Sequence, residues 1–257
     1  MMHIRKVLVP LLLLTVVACS RNGGAPPPSS IGGTKPVDPA TVGVLVGRVS
    51  FQGTPPEPER LRMQTDRSCL QGDTPNPVDS AVLVGAAGGL QNAFVYVKDG
   101  LDPEYSFSVP AAPAILDQKG CIYTPRVIGV MTGQPLEVVN SDETMHNVHA
   151  LPMANQEFNH GQRLKGERLT KSFSVPEVMV RFKCDVHGWM AAYVGVTAHP
   201  FFAVSDAEGR FEIKGLPPGT YTVGLWHEKL GTQEQKITIG PKETQTLNYT
   251  VSAANGS

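Results

Sequence analysis

The residues best placed to do chemistry lie in one short run, Phe182-Lys183-Cys184-Asp185-Val186-His187-Gly188-Trp189-Met190. A thiolate, an imidazole and a thioether fall in a Cys-x2-His-x2-Met spacing between two predicted strands. Soft sulfur donors beside an imidazole suit copper in either oxidation state. A second imidazole must then come from another strand. The upstream run Asn140-Ser141-Asp142-Glu143-Thr144-Met145-His146-Asn147-Val148-His149 offers two. If a strand begins at His146, then His146, Val148 and Ala150 share one face, while Asn147 and His149 share the other. His146 thus points with the apolar face, and His149 is the alternative. Zinc is disfavoured because a Met donor suits it poorly.

These donors need elements to position them, and the chain reads as strands throughout. Val178 to Cys184 alternates, with Val178, Val180, Phe182 and Cys184 on one face. Further strands are expected at Val44 to Phe51, Ala93 to Val97, Ile128 to Met131, Leu136 to Asn140 and Tyr193 to Val196. Three more follow at Phe211 to Ile213, Tyr221 to Leu225 and Gln235 to Ile239. A short helix is a candidate over Pro58 to Gln64. The 26 Gly and 22 Pro residues punctuate short strands. The fold class expected is all-β, a sandwich or barrel.

The paired segments resemble the cupredoxin (type 1, blue copper) family, with a short, amicyanin-like ligand loop. The resemblance covers roughly Ile128 to Val196 and implies a Greek-key sandwich holding one type 1 copper. It implies His146, Cys184 and His187 as trigonal ligands and Met190 as the weak axial ligand. Asn147 is implied as the residue that hydrogen-bonds towards the Cys loop and tunes the thiolate. His187 is implied as a surface electron port, with Gly188 and Trp189 in the apolar collar around it.

A second resemblance lies at Ser205-Asp206-Ala207-Glu208-Gly209-Arg210-Phe211 through Leu216-Pro217-Pro218-Gly219-Thr220-Tyr221. It is similar to the carboxypeptidase regulatory-like (transthyretin-like) module, an Ig-like β-sandwich. Val46 to Pro55 resembles that module's first strand, so residues 42–56 are a candidate piece of a split C-terminal module. The division expected is a cupredoxin-like domain with an N-terminal extension over 42–197, then a regulatory-like domain over 198–257. Insertion and tandem arrangement both remain open at this level.

The N-terminus reads as an address. Arg5 and Lys6 precede an apolar run from Val7 to Ala18. Its ~12 residues fall short of the ~20 that a membrane-spanning helix needs, so residues 1–18 are expected to be a signal peptide. Val16-Val17-Ala18-Cys19 resembles a bacterial lipobox, which implies lipidation of Cys19. Ser20 after the cysteine resembles the outer-membrane sorting pattern. Residues 19–41, rich in Gly, Pro and Ser, are expected to be a flexible linker. The location expected is the cell envelope, lipid-anchored at the outer membrane and facing the periplasm.

With Cys19 and Cys184 so assigned, Cys69 and Cys121 remain of the four cysteines. In an oxidising compartment a Cys69–Cys121 disulfide is the economical reading; a second metal or redox site is the alternative. A net charge of −1 provides no basic field for nucleic acid. No Ser-His-Asp order or phosphate loop stands out, and the spare His149, His160, His199 and His227 form no ligand-spaced cluster. The function expected is therefore electron transfer with a transient redox partner protein, not enzyme catalysis. Copper carriage without redox traffic and a purely structural envelope module are the alternatives.

Overall fold

Alternation decides where each strand packs. In Thr244–Ser252, Leu247, Tyr249 and Val251 are buried while their neighbours face outward, as a strand with one wet face requires. The computed structural model describes residues 30–63, 66–71 and 77–253. Cys19 and the expected signal peptide lie outside the described residues. Among these residues there are 19 strands and one short 3-10 turn, Arg67–Gln71.

The strands form two sandwiches. In the first, a five-stranded sheet runs Phe158–Gln162, His146–Leu151, Glu177–Lys183, Ala191–Thr197, Val127–Met131. It faces a four-stranded sheet of Arg168–Lys171, Leu136–Asn140, Ala114–Gln118 and Tyr123–Thr124. Leu116, Val138, Val148, Val180, Phe182 and Val194 are among the side chains that fill the space between. Val180, Phe182 and Cys184 are buried as the alternation predicts. Val178 is only half-buried, because the pairing with Ala191–Thr197 shifts register between Glu177 and Val180.

The second sandwich draws on both ends of the described chain. Gly43–Gln52 lies between Arg210–Leu216, antiparallel, and Thr244–Ser252, parallel. Phe94–Asp99 lies between Phe202–Val204 and Gly219–His227, with Gly231–Ile239 beyond. The first sandwich is therefore set into the second, between Phe94–Asp99 and Phe202–Val204. These pairings divide the chain differently from a boundary at 197/198, since Gly43–Gln52 and Phe94–Asp99 both pair with C-terminal strands. The reason is hydrogen bonding: each strand needs partners on its edges, and those partners arrive late in sequence.

Two glycines explain how the sandwiches meet. Gly195 and Gly129 are opposite one another in neighbouring strands. A Cβ on Gly195 would lie 2.5 Å from the Phe94 ring, and one on Gly129 would lie 2.2 Å from Phe202. Their missing side chains let both rings lie against the sheet. Arg126 of the first sandwich forks onto Glu228 of the second and reaches Asp79 at 3.3 Å.

Two expectations are corrected. Residues 58–63 form no helix, and Arg60 is bridged to Val78; among the described residues the helical turn is Arg67–Gln71. The end of the stretch expected as a linker is also ordered. Ser30–Gly32 and Lys35–Pro36 both pair with Tyr105–Ser108, which gives their backbone groups partners that a free spacer would lack.

Candidate metal centre

Three strand ends build the site. His146 opens its strand, where the side chain of residue one points with Val148 and Ala150 into the core. Cys184 follows immediately after Glu177–Lys183, on the buried face set by Val180 and Phe182. His187 and Met190 sit on the turn into Ala191–Thr197, and the Met190 N–H closes that turn onto the His187 carbonyl at 2.9 Å.

The donors converge. His146 Nδ1 and His187 Nδ1 lie 3.0 Å apart. Cys184 Sγ lies 4.0 Å from the first and 3.7 Å from the second. All three residues are buried, and Met190 is buried in the same cluster as Cys184. His149 is not brought to this cluster. Its Nδ1 faces Asp185 at 3.0 Å and its Nε2 faces Glu157 at 2.9 Å, on the outer face of the sheet.

Electrostatics favour a thiolate at Cys184. Burial alone would push the Cys184 thiol up, but hydrogen bonds from His146, His187 and the Asn147 N–H bring it down to about 5. Burial works against charge on His146, yet Asp142 and the Cys184 sulfur raise it to about 9. His187 is raised as well, burial opposing and Cys184 and Asp66 favouring its charge. Two nitrogens and one thiolate in a buried pocket, with Met190 buried in the same core cluster as Cys184, fit a soft or borderline cation such as copper.

The surroundings fix this geometry. The Asn147 N–H points at Cys184 Sγ at 3.5 Å, and Asn147 Oδ1 accepts from the Asp185 N–H at 2.6 Å. Tyr123 Oη donates towards the carbonyls of Asn147 and Lys183, at 3.2 and 3.3 Å. The outer nitrogen of each histidine meets a carboxylate. Nε2 of His146 faces Asp142 Oδ2 at 2.9 Å, and Nε2 of His187 faces Asp66 Oδ2 at 3.1 Å. Cys69 and Cys121 are joined in a disulfide.

One expectation about the site is overturned. His187 is 1% exposed and is no surface port. The segment holding Asp66 and Cys69 lies over its outer edge, and Trp189 flanks it with ring centroids 5.3 Å apart. The resemblance could not reveal this cover, because it comes from the N-terminal extension. Sequence reasoning also missed Asp66 and Asp142. Asp142 had a signal, since it lies four residues before His146 in the Asn-Ser-Asp turn. Asp66 had none.

Residues 190–252 match the carboxypeptidase regulatory-like domain family. The match begins in the Ala191–Thr197 strand of the first sandwich and leaves out Gly43–Gln52 and Phe94–Asp99, which complete the second. No curated protein matches the chain in sequence. Among solved structures, the chain is similar to a purple cupredoxin from Nitrosopumilus maritimus, at 19% identity and TM-score 0.29, covering 33% of this chain and 99% of that one. It is similar to an amicyanin variant in its reduced state, at 19% identity and TM-score 0.31, covering 34% and 85%. A copper-containing nitrite reductase from Thermus scotoductus is also similar, at 20% identity and TM-score 0.31, covering 47% of this chain and 27% of that one. The chain is thus an all-β protein of two joined sandwiches, and its residues 190–252 match the carboxypeptidase regulatory-like domain family.

Proposed function

We propose that this protein is an envelope-anchored electron carrier using one type 1 copper, held by His146, Cys184, His187 and Met190. The observation that carries this reading is the convergence of His146 Nδ1, Cys184 Sγ and His187 Nδ1 within 4.0 Å in a buried pocket. Copper bound there supplies a one-electron couple between its cuprous and cupric states.

The chain's own residues do the rest. Asn147 and Tyr123 hold the Cys184 loop to the His146 strand, so the donors keep one arrangement. Burial keeps water from the sulfur. A carrier that hands its metal on would need exposed, exchangeable donors; here the donors are covered, which favours retention. Electrons then leave through the layer over His187, where Trp189 is half-buried against its ring. The partner is a redox protein that docks transiently, with a small contact. Cys19 supplies the lipid anchor, at the outer membrane and facing the periplasm.

The test is to load the soluble domain with cupric copper and record its visible spectrum. An intense thiolate-to-copper band supports the reading. Stoichiometric but colourless cuprous binding would favour a carrier, and no binding would leave a structural module.

A further inference from the structure

The two histidine rings are each gripped from behind by a carboxylate; Asp66 sits three residues from Cys69, and Asp142 accepts the backbone N–H of Cys121, the other half of the Cys69–Cys121 disulfide. Asp142 Oδ2 faces His146 Nε2 and also accepts the Cys121 N–H at 2.8 Å, while Asp142 Oδ1 accepts the Gly120 N–H at 2.7 Å. Asp66 Oδ2 faces His187 Nε2 and accepts the Thr144 hydroxyl at 3.0 Å. Asp66 Oδ1 is held by the Ser68 N–H and hydroxyl, and its carbonyl accepts the Cys69 N–H at 3.2 Å.

The disulfide lies directly against the rings. Cys69, Cys121 and His187 have ligand-type atoms within 4.8 Å of one another, and so do Cys121, Asp142 and His146. Trp189 Nε1 donates to the Cys121 carbonyl at 3.0 Å, which ties the ligand loop to the same point. Cys69 reaches this place from 52 residues away.

We infer that Asp66 and Asp142 are positioning residues for the metal centre, and that the Cys69–Cys121 disulfide is the staple that keeps Asp66 on His187. A carboxylate on Nε2 holds a proton on that nitrogen and stops the ring from turning, so Nδ1, which shares its own proton with the Cys184 sulfur in the metal-free protein, is the nitrogen left to a metal once that proton is displaced. The two carboxylates thus fix which nitrogen of each ring faces Cys184. The staple also explains why His187 is covered: the segment that grips the ring is the segment that hides it.

The inference rests on the copper reading for its purpose, but its first test needs no metal. Long-range proton–nitrogen spectra of the metal-free protein should show the outer nitrogen of His187 carrying a hydrogen. Asp66→Ala should disturb that signature, and Asp66→Asn, which keeps an acceptor oxygen, should largely restore it. Asp66→Ala leaves the disulfide in place, so it tests the grip even if the Cys69→Ser, Cys121→Ser double variant fails to fold. The second test is the rate at which a cuprous chelator strips copper from the loaded protein. Asp66→Ala and the double variant should each speed release by about 10–100-fold, the usual effect of losing a partner behind a metal ligand. An unchanged His187 signature in Asp66→Ala would overturn the inference. So would an unchanged release rate in a wild-type background that does hold copper. A wild-type chain that takes up no copper would instead overturn the proposed function, while the metal-free spectra still decide the grip.

Discussion

Asn147 and Asp185 hold the ligand loop against the His146 strand: the Asp185 N–H donates to Asn147 Oδ1 at 2.6 Å, and Asn147 Nδ2 donates to Asp185 Oδ2 at 2.9 Å. The residue after one candidate ligand is thereby fastened to the residue after another. Asn147→Leu removes both bonds and leaves the Asp185 N–H without its partner. The exposed Asp185 carboxylate returns to water, so the loss falls on the part-buried Asp185 N–H. The expected outcome is a lower denaturant midpoint in the metal-free protein, together with a changed copper potential. An unchanged midpoint would show that the loop is held elsewhere.

Copper uptake should depend on pH with a definite sign. In the metal-free protein His146 is raised to about 9, so it carries an extra proton through the neutral range. A metal must displace that proton, and apparent affinity therefore rises with pH and levels off above about 9. Cys184, at about 5, is already a thiolate at neutral pH. Below about 5 it adds a further competing proton, beyond those of His146 and the likewise raised His187, and the dependence steepens. Competition titrations across this range check the slope. Protons released into a weak buffer near neutral pH give an independent count.

His146 and His149 should behave oppositely. His146→Ala removes a buried donor and should cost more copper affinity than the ~10–100-fold typical of an outer partner. His149→Ala removes a ring on the outer face, held only by Asp185 and Glu157. Copper affinity should not change there. Equal losses in both variants would contradict the placement of the site.

The junction between the sandwiches has its own test. Gly195→Ala places a Cβ 2.5 Å from the Phe94 ring. Overpacking of this kind costs about 1–3 kcal/mol. The thermal midpoint should fall while copper affinity stays the same, because Gly195 lies well along Ala191–Thr197 from the ligand turn.

What could be read in advance followed from how local the signal was. Cys184, His187 and Met190 lie on one turn, so their spacing alone brought them together. His146 over His149 was legible from alternation, since His146, Val148 and Ala150 are buried while His149 and Leu151 are half-buried; Asn147 departs from the pattern because it is covered by the Cys184 loop. Ala114–Gln118 was missed although it is central in its sheet. Its Gln118 is fully buried and bonded to Gln162, and a polar residue at a core position hides the alternation. Arg168–Lys171 was missed because it is an edge strand with mostly exposed, polar residues. Asp66 was beyond reach, because it meets His187 across 121 residues. No motif around Asp66 pointed to that contact, whereas Val46 to Pro55 carried a resemblance that pointed to its distant partners. The same limit applied to the cover over His187, which turned an expected surface port into a buried ring.

A type 1 copper centre at this site needs the Cys184 thiolate, and the visible spectrum of the cupric-loaded protein, wild type beside Cys184→Ser, reads that bond. An intense thiolate-to-copper band is expected in the wild type and none in the variant. A wild-type protein that binds cupric copper without that band, or a band that survives Cys184→Ser, would contradict that assignment.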